Sequence, residues 1–152
     1  MTGTGGTGRR LTDAVVAAVA AAVGMLGACA TGGGSGMCRD WIPTSGPDDW
    51  DDGATLIVEA DVTTGGRTVD ITGVYDVHET SPTRVITGER PDGTIDVVSP
   101  SVDCTTAGAP VTYDGADPLA EDGRYRLYLR PEEGRDDIWR LVVPGAVEPL
   151  AD

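Results

Sequence analysis

Residues 38–150 predict an all-β domain, a small barrel or sandwich, standing behind an apolar leader. Three observations carry that reading. Apolar side chains recur with a period of two in several runs, as strands buried on one face require. The runs are short and bounded by Gly, Pro and Asp, the residues that turn one strand into the next. After residue 30 no stretch has the apolar spacing of a helix of any length. A chain of 152 residues normally makes one domain. Its core is modest, because Phe is absent and three Trp and four Tyr are the large fillers.

The leader comes first. Arg9 and Arg10 precede an uncharged apolar run, Ala14 to Ala28, "AVVAAVAAAVGMLGA". A bilayer span needs roughly 20 apolar residues, so this run is too short to cross. Its length and flanks fit the apolar region of a secretory signal. Asp13 is an unusual acid at its start. Arg9-Arg10-Leu11 carries only part of a twin-arginine pattern, so general export is the default and the route stays open. Gly3 to Gly8 spells GxGxxG, but no strand can precede it, and a dinucleotide loop needs one. Behind the leader, "ATGGGSG", Ala30 to Gly36, has the composition of a flexible tether.

The strands follow. In Leu56–Thr63, Leu56, Val58, Ala60 and Val62 alternate with Ile57, Glu59, Asp61 and Thr63. A second run sets Val69, Ile71, Tyr75 and Val77 against Thr68, Asp70, Thr72, Asp76 and His78. Thr94–Ser99 places Ile95 and Val97 on one face. A turn-rich stretch surrounds Pro110, Asp114-Gly115 and Asp117-Pro118. Tyr125, Leu127 and Leu129 then share one face, with Arg124, Arg126, Tyr128 and Arg130 on the other. Pro131–Asp137 reads as a loop and Ile138–Val143 as the returning strand. Residues 38–55 contain Trp41 and Trp50 but little strand pattern.

Charge narrows the partners. There are 25 acidic residues against 11 basic ones, all Arg, and the net charge is −14. Nucleic-acid binding needs clustered cations, so no nucleic-acid partner is expected. The missing Lys, Asn and Phe beside abundant Gly, Ala, Asp and Arg mark a genome rich in G and C.

Leu26-Gly27-Ala28-Cys29 resembles the bacterial lipobox: an aliphatic residue, two small residues, then Cys. The resemblance implies a lipoprotein. Its signal peptide, residues 1–28, is cleaved after the Cys29 thiol has accepted a diacylglyceryl group. Residues 29–37 are then the lipidated Cys and its Gly/Ser linker, ahead of the domain at 38–150. Two or more acyl chains hold a protein on a membrane where one does so marginally. Palmitate-type acyl chains on Cys29 would therefore place the chain on the extracytoplasmic face of the cell membrane. The alternative is secretion without lipid. With Cys29 assigned, Cys38 and Cys104 remain, an even pair suited to a disulfide in an oxidising space. The bond would close a loop of about 67 residues and stabilise by roughly 4 kcal/mol. A zinc site would need further soft ligands, and the chain has a single His.

A second resemblance lies in the body. "CRDWIP", "LIVEADVT", "GVYDVHETSPTRVITGE", "TIDVVSPSVDC", "DGRYRLYLR" and "DIWRLV" follow the order seen in netrin-like modules. Those are OB-type β-barrels related to tissue inhibitors of metalloproteinases, with an N-terminal Cys tied to a later strand or loop. The resemblance implies a small OB-like barrel over Cys38 to Val143. Small secreted actinobacterial proteins look similar, ending in a Gly-Arg-Tyr-x-Leu-x-Leu strand and a Trp-Arg-Leu strand. The inhibitors start with Cys-x-Cys, whose amine chelates the target's zinc. Here Cys38 stands alone behind a tether, so the inhibitory residues do not carry over.

Candidate sites are few. His78 is expected on the polar face of its strand, beside Asp76 and Glu79. Ser81 is near in sequence but lacks a nucleophile elbow. Asp48, Asp49, Asp51 and Asp52 crowd Trp50 and are the Ca²⁺ candidates, without EF-hand spacing; a solvated loop is the simpler reading. Asp114 to Gly123 is similar. The Arg124/Arg126/Arg130 face is expected to be neutralised by Glu132 and Glu133 across a hairpin. No cofactor and no catalytic residue are expected. The reading is a membrane-anchored extracytoplasmic binding or interaction module whose partner is an envelope protein or other envelope component. The alternatives are a secreted domain with a structural or envelope-stress role and a hydrolase.

Overall fold

A computed structural model of the chain describes residues 36–151. The expected signal peptide, Cys29 and most of the tether lie outside the described residues. The elements in order are β1 (Gly36–Met37), α1 (Pro47–Asp51), β2 (Leu56–Asp70), β3 (Val74–Thr87), β4 (Ile95–Val98), β5 (Thr105–Thr106), β6 (Gly123–Glu132), β7 (Arg135–Leu141) and β8 (Val147–Pro149). Among them no helix is long and apolar enough to cross a membrane.

The large sheet closes on itself. Its order is β2-β3-β4-β7-β6-β8, with β2 also paired to β6. Five strands thus form a ring, β2-β3-β4-β7-β6 and back to β2, and β8 lies against β6 outside the closure. All neighbours are antiparallel except β4 and β7, which run parallel. The protein is therefore a mostly-β structure around a closed sheet.

The alternation in β2 and β6 fills the ring. Leu56, Val58, Ala60 and Val62 meet Leu127 and Leu129, with Val97, Leu119 and Leu141, in the main core. A second, smaller cluster joins Tyr75, Val77, Val98 and Ile138, with Val69, Ile71 and Val111 against it. Val97 and Val98 are adjacent in β4, so their side chains point to opposite faces. The second cluster therefore lies on the other side of the sheet, beneath the segment that follows β4.

That second cluster explains two departures from the sequence reading. The run Val69 to His78 is not one strand. It is the end of β2 and the start of β3, joined by Ile71-Thr72-Gly73, with an Ile71 N–H to Gly73 carbonyl bond. The apolar alternation runs straight through the turn because both arms face the same cluster. His78 is not at the surface either. It lies opposite Val97, and Thr80 lies opposite Ile95. Facing residues on antiparallel strands share a side, so His78 points into the ring and is 1% exposed. The face that reads as polar in the sequence is the interior one, and both faces of β3 are covered at Val77-His78.

Two glycines allow the long hairpin. Gly66, at φ 63°, sits in the register shift between Thr64 and Arg67 of β2, a bulge that bends the strand. Gly88, at φ 92°, ends β3 where a Cβ would strike the Thr55 carbonyl. The segment Pro131–Asp137 is mostly strand, with only Glu133-Gly134 left as the turn between β6 and β7.

Candidate functional site

The chain enters the domain alongside the segment after β4. Gly36 and Met37 pair with Thr106 and Thr105. Cys38 and Cys104 form a disulfide, as their pairing in the sequence predicts. Further on, Trp41 donates its indole N–H to the Ser101 carbonyl at 2.8 Å. Residues 36–41 thus run antiparallel to 101–106, held by a short ladder, a covalent bond and a side-chain hydrogen bond.

Where this strap meets the barrel there is a cleft of about 30 Å³, enough for a small polar group. Arg39, Trp41, Tyr75, Thr105, Glu132 and Arg140 are among its lining residues. The guanidinium carbons of Arg39 and Arg140 each lie 5.6 Å from the Trp41 ring centroid, within range of a cation–π attraction. Arg140 and Glu132 are each 7% exposed. Arg140 donates from Nη1 to Glu132 Oε2 at 2.9 Å, while its Nε is buried without a partner. Burial pulls the Arg140 pKa down. Glu132 opposes this, and the neighbouring Arg39 and Arg130 charges add to it. Thr105 donates to the Thr72 hydroxyl at 3.1 Å, so one wall of the cleft is hydroxyl-lined.

A second buried polar group lies in the ring. His78 Nε2 and Asp117 Oδ2 are 2.9 Å apart. Asp117 Oδ1 also accepts the Leu119 N–H at 2.9 Å. Burial works to raise the Asp117 pKa, but the bonds from His78 and Leu119 outweigh it and hold the carboxyl below its usual range. An ionised carboxylate only accepts, which puts the proton on Nε2. Beside it, Tyr113 donates to the Ser99 carbonyl at 3.0 Å. Its own pKa is driven up, first by burial and then by the Asp117 charge. His78 is almost wholly covered, so its ring is not presented at the surface. The pair instead clamps the segment between β4 and β6 onto β3.

The other sequence candidates do not converge. Ser81 lies opposite Asp61, an odd number of positions from His78 and so on the other face of β3. Asp48 and Asp49 occupy the first turn of α1, where acids complement the helix dipole. Asp49 accepts the Ser45 N–H. Among the described residues no group of three or more His, Cys, Asp or Glu is arranged to hold a metal ion. Two of the three arginines on the Arg-rich face of β6 are neutralised, but not by the expected partners, and Arg130 has no ion-pair partner among the described residues. Arg126 pairs with Glu59 and Glu148, and Arg124 with Asp61. The register sets Arg124 and Arg126 opposite β2, and Arg126 opposite Glu148 of β8. Glu132 instead turns to Arg140.

Sequence reasoning passed over Arg39, Trp41 and Arg140 as a group. Each lies in a different local context, and only the disulfide hinted that residues near 38 and 104 meet. No protein-family model matches the chain, and no curated protein or solved structure is significantly similar to it.

Proposed function

We propose that the chain is a lipid-anchored, extracytoplasmic binding module built on an OB-type barrel. One observation carries the reading. With Cys38 and Cys104 bonded to each other, Cys29 is the remaining cysteine, and it stands where a lipobox puts the lipidated residue. A disulfide in the same chain suits an oxidising compartment. The OB assignment is supported by the ring itself. If β2, β3, β4, β6 and β7 are taken as first to fifth, the neighbours run first, second, third, fifth, fourth and back to first. The N-terminal Cys is tied to the segment after the third of these. A binding role is supported by the solvent-open cleft at the strap and by the sealed position of His78. The partner is a component of the cell envelope reached from the membrane surface.

The experiment is expression in a bacterial host with labelled palmitate. The expected result is label in the mature chain and recovery in the membrane fraction. In Cys29→Ser both are lost. A Ser variant that still fractionates with membranes after cleavage at residue 28 refutes the anchor, and unlabelled wild type in the medium supports plain secretion.

A further inference from the structure

We infer that the outer face of the strap is a membrane-contact surface: Ile42 and Val102 rest at the headgroup boundary of the bilayer that holds the Cys29 anchor, and the barrel stands away from it. The inference rests on the lipid-anchor reading and goes beyond it, since an anchor alone leaves the domain free to present any face.

The exposed apolar side chains are not scattered. Among the described residues the large ones are Met37, Ile42, Ile86 and Val102. All but Ile86 lie on the strap or on the segment beside it. Ile42 is 83% exposed, Val102 55% and Met37 51%. Met37, Arg39 and Trp41 line the cleft together with Ser101, Asp103 and Thr105, so alternate residues of both segments face the barrel. Extended chains send successive side chains to opposite sides. The intervening residues, Cys38, Asp40 and Ile42 with Val102 and Cys104, therefore face away from it, and all are exposed. The Cys38–Cys104 bond holds the two segments together as one surface. Single exposed apolar residues need no explanation, but a group of them marks an interaction site.

Chain length says what covers this face. The strap is tied to the domain from Gly36 onward by its pairing with Thr106. Cys29 lies seven residues earlier, and a chain of that length spans at most about 25 Å. A glycine-rich chain of seven residues averages about 15 Å end to end. A lipid on Cys29 therefore keeps the strap within a short reach of the bilayer. At that distance, moving Ile42 and Val102 out of water stabilises the contact. Asp40, on the same face, sets the depth. A carboxylate is not carried into hydrocarbon, so the contact stops at the headgroup boundary, where the apolar face of a surface-lying segment settles. Ile86 is the internal comparison. It lies near the far end of β3 from Tyr75, which lines the cleft, and it should stay in water.

The test uses the lipidated protein, extracted from membranes and returned to phosphatidylcholine nanodiscs, with Ile, Val and Met methyl groups labelled for NMR. Phosphatidylcholine is neutral overall and avoids repelling an acidic protein. A phosphatidylcholine with a nitroxide near its headgroup supplies the paramagnetic broadening. The Ile42 and Val102 methyls should broaden several-fold more than those of Ile86. In the double variant Ile42→Ser with Val102→Ser, both exposed positions, the Met37 methyl should lose most of its broadening. Core methyl signals that match the wild type show that the barrel is folded. Equal broadening of Ile42 and Ile86 overturns the face and leaves the anchor standing. So does Met37 broadening that survives in the double variant, since the tether alone then accounts for it. Ile42 and Val102 signals that shift with protein concentration in detergent assign the face to a second copy and overturn the proposal. Protein recovered without lipid refutes the anchor, and this inference with it.

Discussion

Replacing Cys38 and Cys104 together by Ser removes the bond without leaving a stray thiol. The bonded residues are 66 apart in sequence, and the closed loop contains β2, β3 and β4, most of the ring. On the chain-entropy relation, a loop of that length removes roughly 15 cal/mol/K from the unfolded chain, or about 4 kcal/mol at room temperature. Single domains are stable by only about 5–15 kcal/mol, so the loss should be plain in a urea titration. The structure also says where loosening begins. Without the bond, the strap keeps the two-residue pairing of β1 with β5, the Thr105 hydroxyl bond to the Met37 carbonyl, the Trp41 to Ser101 hydrogen bond and the Arg140 guanidinium near the Trp41 ring. Trp50 is held separately, edge-on to Tyr128 at 5.3 Å, against the main core. In the double mutant, Trp41 should become open to acrylamide quenching below the main transition while Trp50 stays protected. The assay combines thiol counting on the wild type, urea unfolding of both proteins, and quenching in variants that keep one Trp at a time. Two free thiols in protein from an oxidising compartment would refute the reasoning. So would a stability loss under about 1 kcal/mol, or simultaneous exposure of the two Trp.

Further predictions follow from the buried groups. Asp117 titrates below its unfolded value when folded, so its contribution is present above the ordinary carboxylate range and fades as pH falls. Asp117→Asn should flatten the drop in unfolding midpoint between about pH 5 and pH 3; an acid limb as steep as the wild type's would contradict this. Glu132→Gln leaves Arg140 buried without its counter-charge and should cost about 3 kcal/mol in denaturant unfolding. The paired change to Met at Glu132 and Arg140 should recover most of that loss, and a double mutant as weak as the single would argue against a buried ion pair. Gly88→Ala puts a side chain at φ 92° and onto the Thr55 carbonyl, so a loss of at least about 1–3 kcal/mol is expected by thermal denaturation.

Strand content and the main core were legible because β2 and β6 alternate cleanly and each buries one face inside the ring. Leu56, Val58, Ala60 and Val62, and Tyr125, Leu127 and Leu129, were placed on the inner side by period alone, but Ile57 and Tyr128, which the same period sets on the polar face, are buried as well. The reading failed where that assumption failed. At Val77-His78 both faces of β3 are covered, so the two are neighbours in sequence and both buried. Periodicity assigns one of them to solvent, and it chose the His. The hairpin at Ile71-Thr72-Gly73 was hidden for the same reason, since its two arms feed one cluster. The cleft was less legible still. Arg39, Trp41, Glu132 and Arg140 come from opposite ends of the domain, and no spacing rule links them. Their meeting depends on the parallel pairing of β4 with β7 and on the disulfide. The second of these could be inferred from cysteine arithmetic, the first could not.

The closed ring has a kinetic consequence. Leu56 pairs with Leu129, and Asp96 with Ile138, so the contacts that shut the barrel join residues far apart in the chain. The β2–β3 hairpin is local and can form as soon as residue 87 is available. From then on both its edges are long, apolar on one face and unpaired, until β4 and β6 have been made and docked. Contacts of high sequence separation form slowly because chain entropy must be lost before they stabilise anything. An open hairpin edge in that interval is a template for pairing with another copy. The rate-limiting event should be the closure of β6 onto β2, the pairing of greatest sequence separation, and any change that delays it lengthens the period in which the chain is prone to aggregate.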